Sequence, residues 1–162
     1  MTRMSVLSLP RRNQQQLIGD EAMKIDGRCH CGHITYEAEV DPERVVACHC
    51  TDCQTMSGAP LRAVVFSETD GFKLLTGELK IYVKTAESGN PRQQAFCPEC
   101  GTPIYATNTG DGPKNYGIRL GAIRQRGELT PKAQVWTRSA QYWLAGLDGI
   151  RKIETQPALP PK

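Results

Sequence analysis

The chain has 162 residues, a hydrophobic fraction of 39% and a formal net charge of +3. That length fits one domain of ordinary size with a core of its own. The charge is too small to indicate a nucleic-acid partner or an anionic membrane surface, and no apolar run approaches the roughly 18 residues that a membrane span requires.

Residues 1–22 differ in composition from the rest of the chain: they contain Pro10, two adjacent arginines and three consecutive glutamines, with no acidic residue before Asp20. We interpret them as a flexible N-terminal arm; an organelle transit peptide is the alternative. The arm has neither the apolar run nor the cleavage site of a secretory signal. We therefore expect a cytoplasmic protein whose seven cysteines are reduced rather than paired in disulfides.

From Met23 onward, short β segments alternate with turn residues, which predicts a mainly β fold with little helix. A first strand begins at Met23, and residues 34–40 alternate at period two until Asp41 and Pro42 end the pattern. The further predicted strands are 45–47, 61–66, 72–75, 79–83, 93–96, 104–106, 116–120 and 134–136. Helix is expected only for a turn at 51–56 and near 139–144. The domain should span residues 23–150, and 151–162 should form an extended C-terminal tail.

All seven cysteines fall into three compact motifs. These are a C-x-C, a C-x-C-x-x-C and a C-x-x-C, formed by Cys29 and Cys31, by Cys48, Cys50 and Cys53, and by Cys97 and Cys100. Zinc prefers thiolate ligands, and its tetrahedral geometry lets short knuckles converge from two sides. Such clustering argues against unrelated buried thiols. A redox C-x-x-C should begin a helix, which Pro103 opposes here.

Seven thiolates divide naturally into four and three. Four would close a structural zinc site, whereas three would leave the open coordination position that a catalytic zinc requires. We expect the open set to be the C-x-C-x-x-C motif, because one short stretch supplies all three ligands; the other four cysteines would then join the two halves of the domain. Spacing alone leaves other pairings open.

The three histidines, His30, His33 and His49, all lie close to these motifs. His30 and His49 each lie between two cysteines, so on an extended chain they point to the opposite face. For all three, a polar or solvent-facing role is favoured over metal ligation. His49 remains a candidate to assist chemistry beside the open set.

The flanking residues resemble the glutathione-dependent formaldehyde-activating enzyme family, whose domain is shared with centromere protein V. The similarity covers about residues 23–144 and includes Trp136 and Trp143. The stretches that carry it are GRCHCG at 27–32, Tyr36-Glu37, CHCTDC at 48–53, SGAP at 57–60 and FCPECGTPIY at 96–105.

The resemblance implies a β-tent fold of stacked antiparallel sheets with zinc knuckles and two zinc ions per chain. The structural zinc would be held by Cys29, Cys31, Cys97 and Cys100, and a more labile zinc by Cys48, Cys50 and Cys53. It also implies S-(hydroxymethyl)glutathione synthase activity, a carbon–sulfur lyase in the reverse direction. Glutathione and formaldehyde, or a similar small electrophile, would be the partners.

The expected chemistry begins with ionisation of the thiol at the open site, since metal coordination lowers a thiol pKa. The candidate catalytic residues are Cys48, Cys50, Cys53 and His49, with His49 or water supplying a proton to the adduct oxygen. Glutathione carboxylates favour guanidinium partners; the candidates are Arg62, Arg119 and Arg138, together with Arg124. The alternative function is a non-catalytic zinc-binding module that binds a thiol or a protein partner. A homo-oligomer is compatible with either function.

Overall fold

The computed structural model describes residues 22–156 apart from Ser88. All but the last residue of the predicted N-terminal arm, and the last six residues of the predicted tail, therefore lie outside the described residues. Within them the fold is mainly β, as predicted. The strands are β1 (Met23–Arg28), β2 (Thr35–Cys48), β3 (Arg62–Thr76), β4 (Lys80–Thr85), β5 (Pro91–Phe96), β6 (Pro103–Asn108), β7 (Tyr116–Arg119) and β8 (Ala133–Val135).

The strands form one hydrogen-bonded path in the order β1-β2-β3-β7-β6-β5-β4, with every neighbouring pair antiparallel. The short strand β8 pairs with β2 in parallel. This parallel pair places the segment after Val135 beside the end of β2, where the C-x-C-x-x-C motif begins.

In two places, a pair of strands that the sequence predicts separately forms one long strand. The predicted strands 34–40 and 45–47 both correspond to parts of β2, and 61–66 and 72–75 both correspond to parts of β3. Asp41 and Pro42 do not end the first of them, and β2 continues through these residues to Cys48. The reason is an irregular register: the pairing of β2 with β3 shifts between Ala38 and Val40 and again between Val40 and Val45. Turn residues inside a strand produce such irregularities, which bend the strand without breaking it.

The bend lets the sheet pack against itself around an aromatic cluster. The Phe72 ring centroid in β3 lies 5.1 Å from that of Tyr36 in β2, 4.8 Å from Tyr105 in β6 and 5.3 Å from Tyr116 in β7. Aromatic pairs at these separations add to the stabilisation from buried area. The core thus lies between the β2–β3 layer and the β6–β7 layer.

Helix is limited, as expected. The helix α1 (Thr51–Ser57) begins after Cys50, whose Sγ accepts a hydrogen bond from the Cys53 backbone N–H at 3.3 Å, and ends at Gly58. The remaining helices of the described chain are 3₁₀: Leu120–Ala122, Arg126–Glu128, Thr137–Ser139 and Tyr142–Gly149. No helix in the described part of the chain is long and apolar enough to cross a membrane.

Candidate metal centre and the adjoining cavity

The first cysteine cluster joins the β1–β2 turn to the β5–β6 turn. The Sγ atoms of Cys29, Cys31, Cys97 and Cys100 all lie within 4.8 Å of one another. The Cys31 Sγ is 3.4 Å from that of Cys29 and 3.8 Å from that of Cys97. Four sulfurs bound to zinc at about 2.3 Å are about 3.8 Å apart at the vertices of a tetrahedron. The cluster therefore fits a four-thiolate zinc ion.

Glycine at the end of each turn allows these cysteines to converge. Gly32 and Gly101 follow the second cysteine of their motifs and have φ angles of 84° and 72°, a region in which other L-residues are strained. Cys29 Sγ accepts a hydrogen bond from the Ile34 N–H at 3.2 Å. Thr102 Oγ1 accepts one from the His30 N–H at 3.1 Å and so links the two turns directly.

The second cluster is compact in sequence as well as in space. Cys48 ends β2, Cys50 precedes α1 and Cys53 lies in its first turn, and their three Sγ atoms are all within 4.8 Å of one another. No further cysteine, histidine or carboxylate of the described residues joins them. Three thiolates would leave one position of a tetrahedral zinc open. The division into four and three is the one that spacing had favoured.

The three-cysteine cluster opens onto a cavity of about 860 Å³. The far wall is the β4–β5 hairpin, which two ion pairs attach to the rest of the site. Lys84 in β4 pairs with Asp52 of α1, and Glu87 in the hairpin turn pairs with Arg138. The cavity carboxylates Asp52 and Glu87 are thereby already paired with cations.

Buried guanidinium groups line the same cavity, and no carboxylate of the described residues pairs with them. Arg62 and Arg119 are only 6% and 8% exposed, and both line the cavity together with Arg92. Arg119 Nη2 donates to Gln94 Oε1 at 2.8 Å. However, Arg62 Nη2 and Arg119 Nε are buried with no hydrogen-bond partner in the described part of the chain. Unsatisfied buried donors of this kind are exceptions in native proteins, and here they flank the thiol cluster.

Burial of these arginines disfavours their charged forms and lowers their pKa values. Burial, together with the neighbouring Arg62, lowers the pKa of Arg119 to about 10, while the thiolates of Cys53 and Cys48 oppose the shift. Burial also lowers the pKa of Arg62 and of Arg92. The charged guanidinium groups are thus poorly solvated, and an entering anion would relieve that cost.

The other two candidate arginines are placed differently. Arg138 is not a lining residue of the cavity; its guanidinium lies 4.8 Å from the centroid of the Trp136 ring and pairs with the lining residue Glu87. Arg124 binds Asp26 of β1, with Nε 2.8 Å from Oδ2, and is outside the cavity lining. The Asp26 pKa is lowered to about 2, chiefly by this hydrogen bond.

His49 lies on the opposite side of β2 from the thiol cluster. Its ring is 2% exposed and lines a separate cavity with Ala47 and Leu61. Nε2 is 2.8 Å from Gln134 Oε1, and the His49 N–H donates to Val135 O at 3.0 Å. The alternation of side chains along a strand predicted this placement. His49 therefore joins β2 to β8. His30 and His33 are exposed.

Sequence reasoning did not single out several residues that line the cavity. Arg92 and Gln94 both lie in β5, two residues apart and therefore on one face of the strand; a polar pair at that spacing was the available signal. Lys84 gave no signal, because its role depends on the distant Asp52. Trp136 was noted only through the family resemblance.

Comparison with known proteins agrees with the geometry. The family model for the glutathione-dependent formaldehyde-activating enzyme matches residues 24–139, more than two thirds of the chain. The chain belongs to this family. A protein of Schizosaccharomyces pombe named as an uncharacterized lyase is 28% identical over 110 residues, covering 68% of this chain and 76% of that protein.

A crystal structure of a Rhodobacter sphaeroides protein is similar in fold to this family member. Its TM-score is 0.53 at 18% sequence identity, and the match covers 68% of this chain and 99% of that one. At this level of identity the likeness supports the fold alone.

Proposed function

We propose that this protein is a zinc-dependent carbon–sulfur lyase that reversibly joins the thiol of glutathione to formaldehyde or a similar small electrophile. The observation that carries the proposal is the three-cysteine cluster, which opens onto a cavity lined by Arg62 and Arg119. Family membership and the lyase-named relative support the reaction class. Cys29, Cys31, Cys97 and Cys100 would hold the structural zinc.

Zinc held by Cys48, Cys50 and Cys53 would supply an open coordination position and lower the pKa of a thiol bound there. The protein residues then position the rest of the substrate. Arg62 Nη2 and Arg119 Nε, which have no hydrogen-bond partner among the described residues, would donate charge-assisted hydrogen bonds to the carboxylates. Arg92 adds a third cation on the β5 wall.

The reaction adds the thiol across the carbonyl group. A carbon–sulfur bond forms, the carbon–oxygen π bond opens onto oxygen, and the proton lost from the thiol is replaced by one gained at the adduct oxygen. Because His49 lines a different cavity, we assign this proton to water. His49 then acts as a positioning residue that holds β8 against β2.

The test combines elemental analysis of zinc with adduct formation from glutathione and formaldehyde, measured against the uncatalysed rate. We expect two zinc ions per chain, by the four-plus-three division of the cysteines, and a rate above background. Cys50→Ser should lose one zinc and the rate enhancement while remaining folded. Arg62→Gln should raise the KM for glutathione, and Arg151→Gln, at an exposed site, should not.

The same measurements can also reject the proposed function. Two tightly held zinc ions, no response to glutathione and no rate above the uncatalysed control would reject the lyase. The domain would then be a zinc-binding module without catalytic activity.

A further inference from the structure

Trp136 lies in the cavity wall with a backbone conformation that bulky residues avoid. Its φ and ψ angles are 59° and 36°, in the left-handed region. Among residues 22–156, with Ser88 left aside, it is the only residue other than glycine with a positive φ. The conformation costs an L-residue about 1–2 kcal/mol. Strain of this kind persists where surrounding contacts enforce it, and it clusters at ligand sites.

Contacts on both sides of Trp136 enforce the conformation. Before it, the carbonyl of Val135 accepts the His49 N–H at 3.0 Å; after it, the Ser139 N–H donates to the Trp136 carbonyl at 3.0 Å. The Arg138 guanidinium stacks 4.8 Å from the ring centroid. The indole is therefore held in place and remains 39% exposed.

The sheet fixes the position of Trp136 relative to the three-cysteine cluster. Val135 pairs with Cys48 in the parallel β2–β8 register, so Trp136 follows directly after the residue beside the first cysteine of the cluster. Both Trp136 and the three cysteines line the 860 Å³ cavity. A ligand whose sulfur reaches the cluster can therefore place its adjoining atoms along the indole.

We propose that Trp136 is the specificity-determining residue for the thiol, and that its indole packs against the peptide portion of glutathione. This inference rests on the proposed function and names what selects its thiol substrate. Flat amide groups pack well on an aromatic face, whereas a small thiol such as 2-mercaptoethanol has no peptide group to place there. The residue thus selects a peptide thiol over a small one.

The test uses S-methylglutathione, whose sulfur carries no proton, so that its binding reports the cavity wall rather than thiol ionisation. Since the chain has two tryptophans, a Trp143→Phe protein leaves Trp136 as the single indole fluorophore. We expect a saturable change in its fluorescence. Binding of S-methylglutathione is measured by calorimetry. Trp136→Ala should weaken the affinity about tenfold, and Trp136→Phe should restore most of it. The KM of Trp136→Ala for 2-mercaptoethanol should equal that of the parent.

Trp136→Gly separates recognition from folding. Glycine accepts the left-handed conformation without strain, so the melting temperature should stay within a few degrees while the affinity falls as it does for Trp136→Ala. The inference would be overturned if Trp136→Ala and Trp136→Gly bound S-methylglutathione as tightly as the parent, or if they weakened the binding of peptide and small thiols equally. In either case glutathione turnover by the parent protein would still support the proposed function. If the parent protein neither binds S-methylglutathione nor accelerates adduct formation, the proposed function fails and the inference fails with it.

Discussion

Replacing Arg119 should raise stability and lower function together. A pKa lowered from 12.5 to about 10 corresponds to about 3 kcal/mol against the charged form in the folded state. Arg119→Met removes that cost but leaves Gln94 Oε1 without its donor, which costs about 1–3 kcal/mol. The single variant should therefore change the free energy of unfolding by about +1 kcal/mol, and Arg119→Met with Gln94→Met by about +2 to +3 kcal/mol.

The assay follows thermal unfolding and glutathione affinity on zinc-loaded protein. For a chain of this size, each kcal/mol corresponds to about 2–4 °C in the melting temperature. The double variant should melt about 4–12 °C higher and bind glutathione about tenfold or more weakly, because a charge-assisted hydrogen bond is lost. A double variant that melts lower than the parent and keeps its glutathione affinity would refute this explanation.

Three further substitutions test the scaffold around the site. Cys97→Ser should lose the four-thiolate zinc and much of the folded state, because metal binding at such a site contributes folding free energy; zinc content and circular dichroism measure both. Gly101→Ala should cost about 1–2 kcal/mol of unfolding free energy through strain at its φ of 72°, whereas Gly121→Ala, in open space, should cost less in the same chemical denaturation. Asp26→Asn breaks the ion pair with Arg124. Because the Asp26 pKa is depressed from 3.8 to about 2, this stabilisation is fully present above the unfolded pKa and is lost as pH falls through about 2. Since both groups are substantially exposed, the melting temperature at pH 7 should fall by about 1–3 °C, with little difference from the parent at pH 2; melting curves at both pH values measure it.

The cysteine clusters could be predicted from sequence because their ligands lie within short motifs. Period-two alternation along β2 was also sufficient to place His49 opposite the cluster. Local signals failed where tertiary pairing decided the outcome. Asp41 and Pro42 look like a strand end, yet pairing with β3 carries β2 through them.

The cavity walls were predictable only in part. Arg62 and Arg119 followed from the chemistry of carboxylate recognition, and both line the cavity. Arg138 matched the same chemical criterion, but it contacts Trp136 and Glu87 and does not line the cavity. No local pattern indicates the left-handed conformation of Trp136, since hydrogen bonds from the backbone N–H groups of His49 and Ser139 enforce it.

The two cysteine clusters also differ in when a ribosome completes them. The contact between Cys31 and Cys97 spans 66 residues, which takes about 3–13 s to synthesise at 5–20 residues per second. Residues 48–53, in contrast, emerge together. A nascent chain therefore presents the three-thiol set first, while the first half of the four-thiol set waits for its partner. Metal delivered during translation would meet the set that lines the cavity before the scaffold that positions it exists.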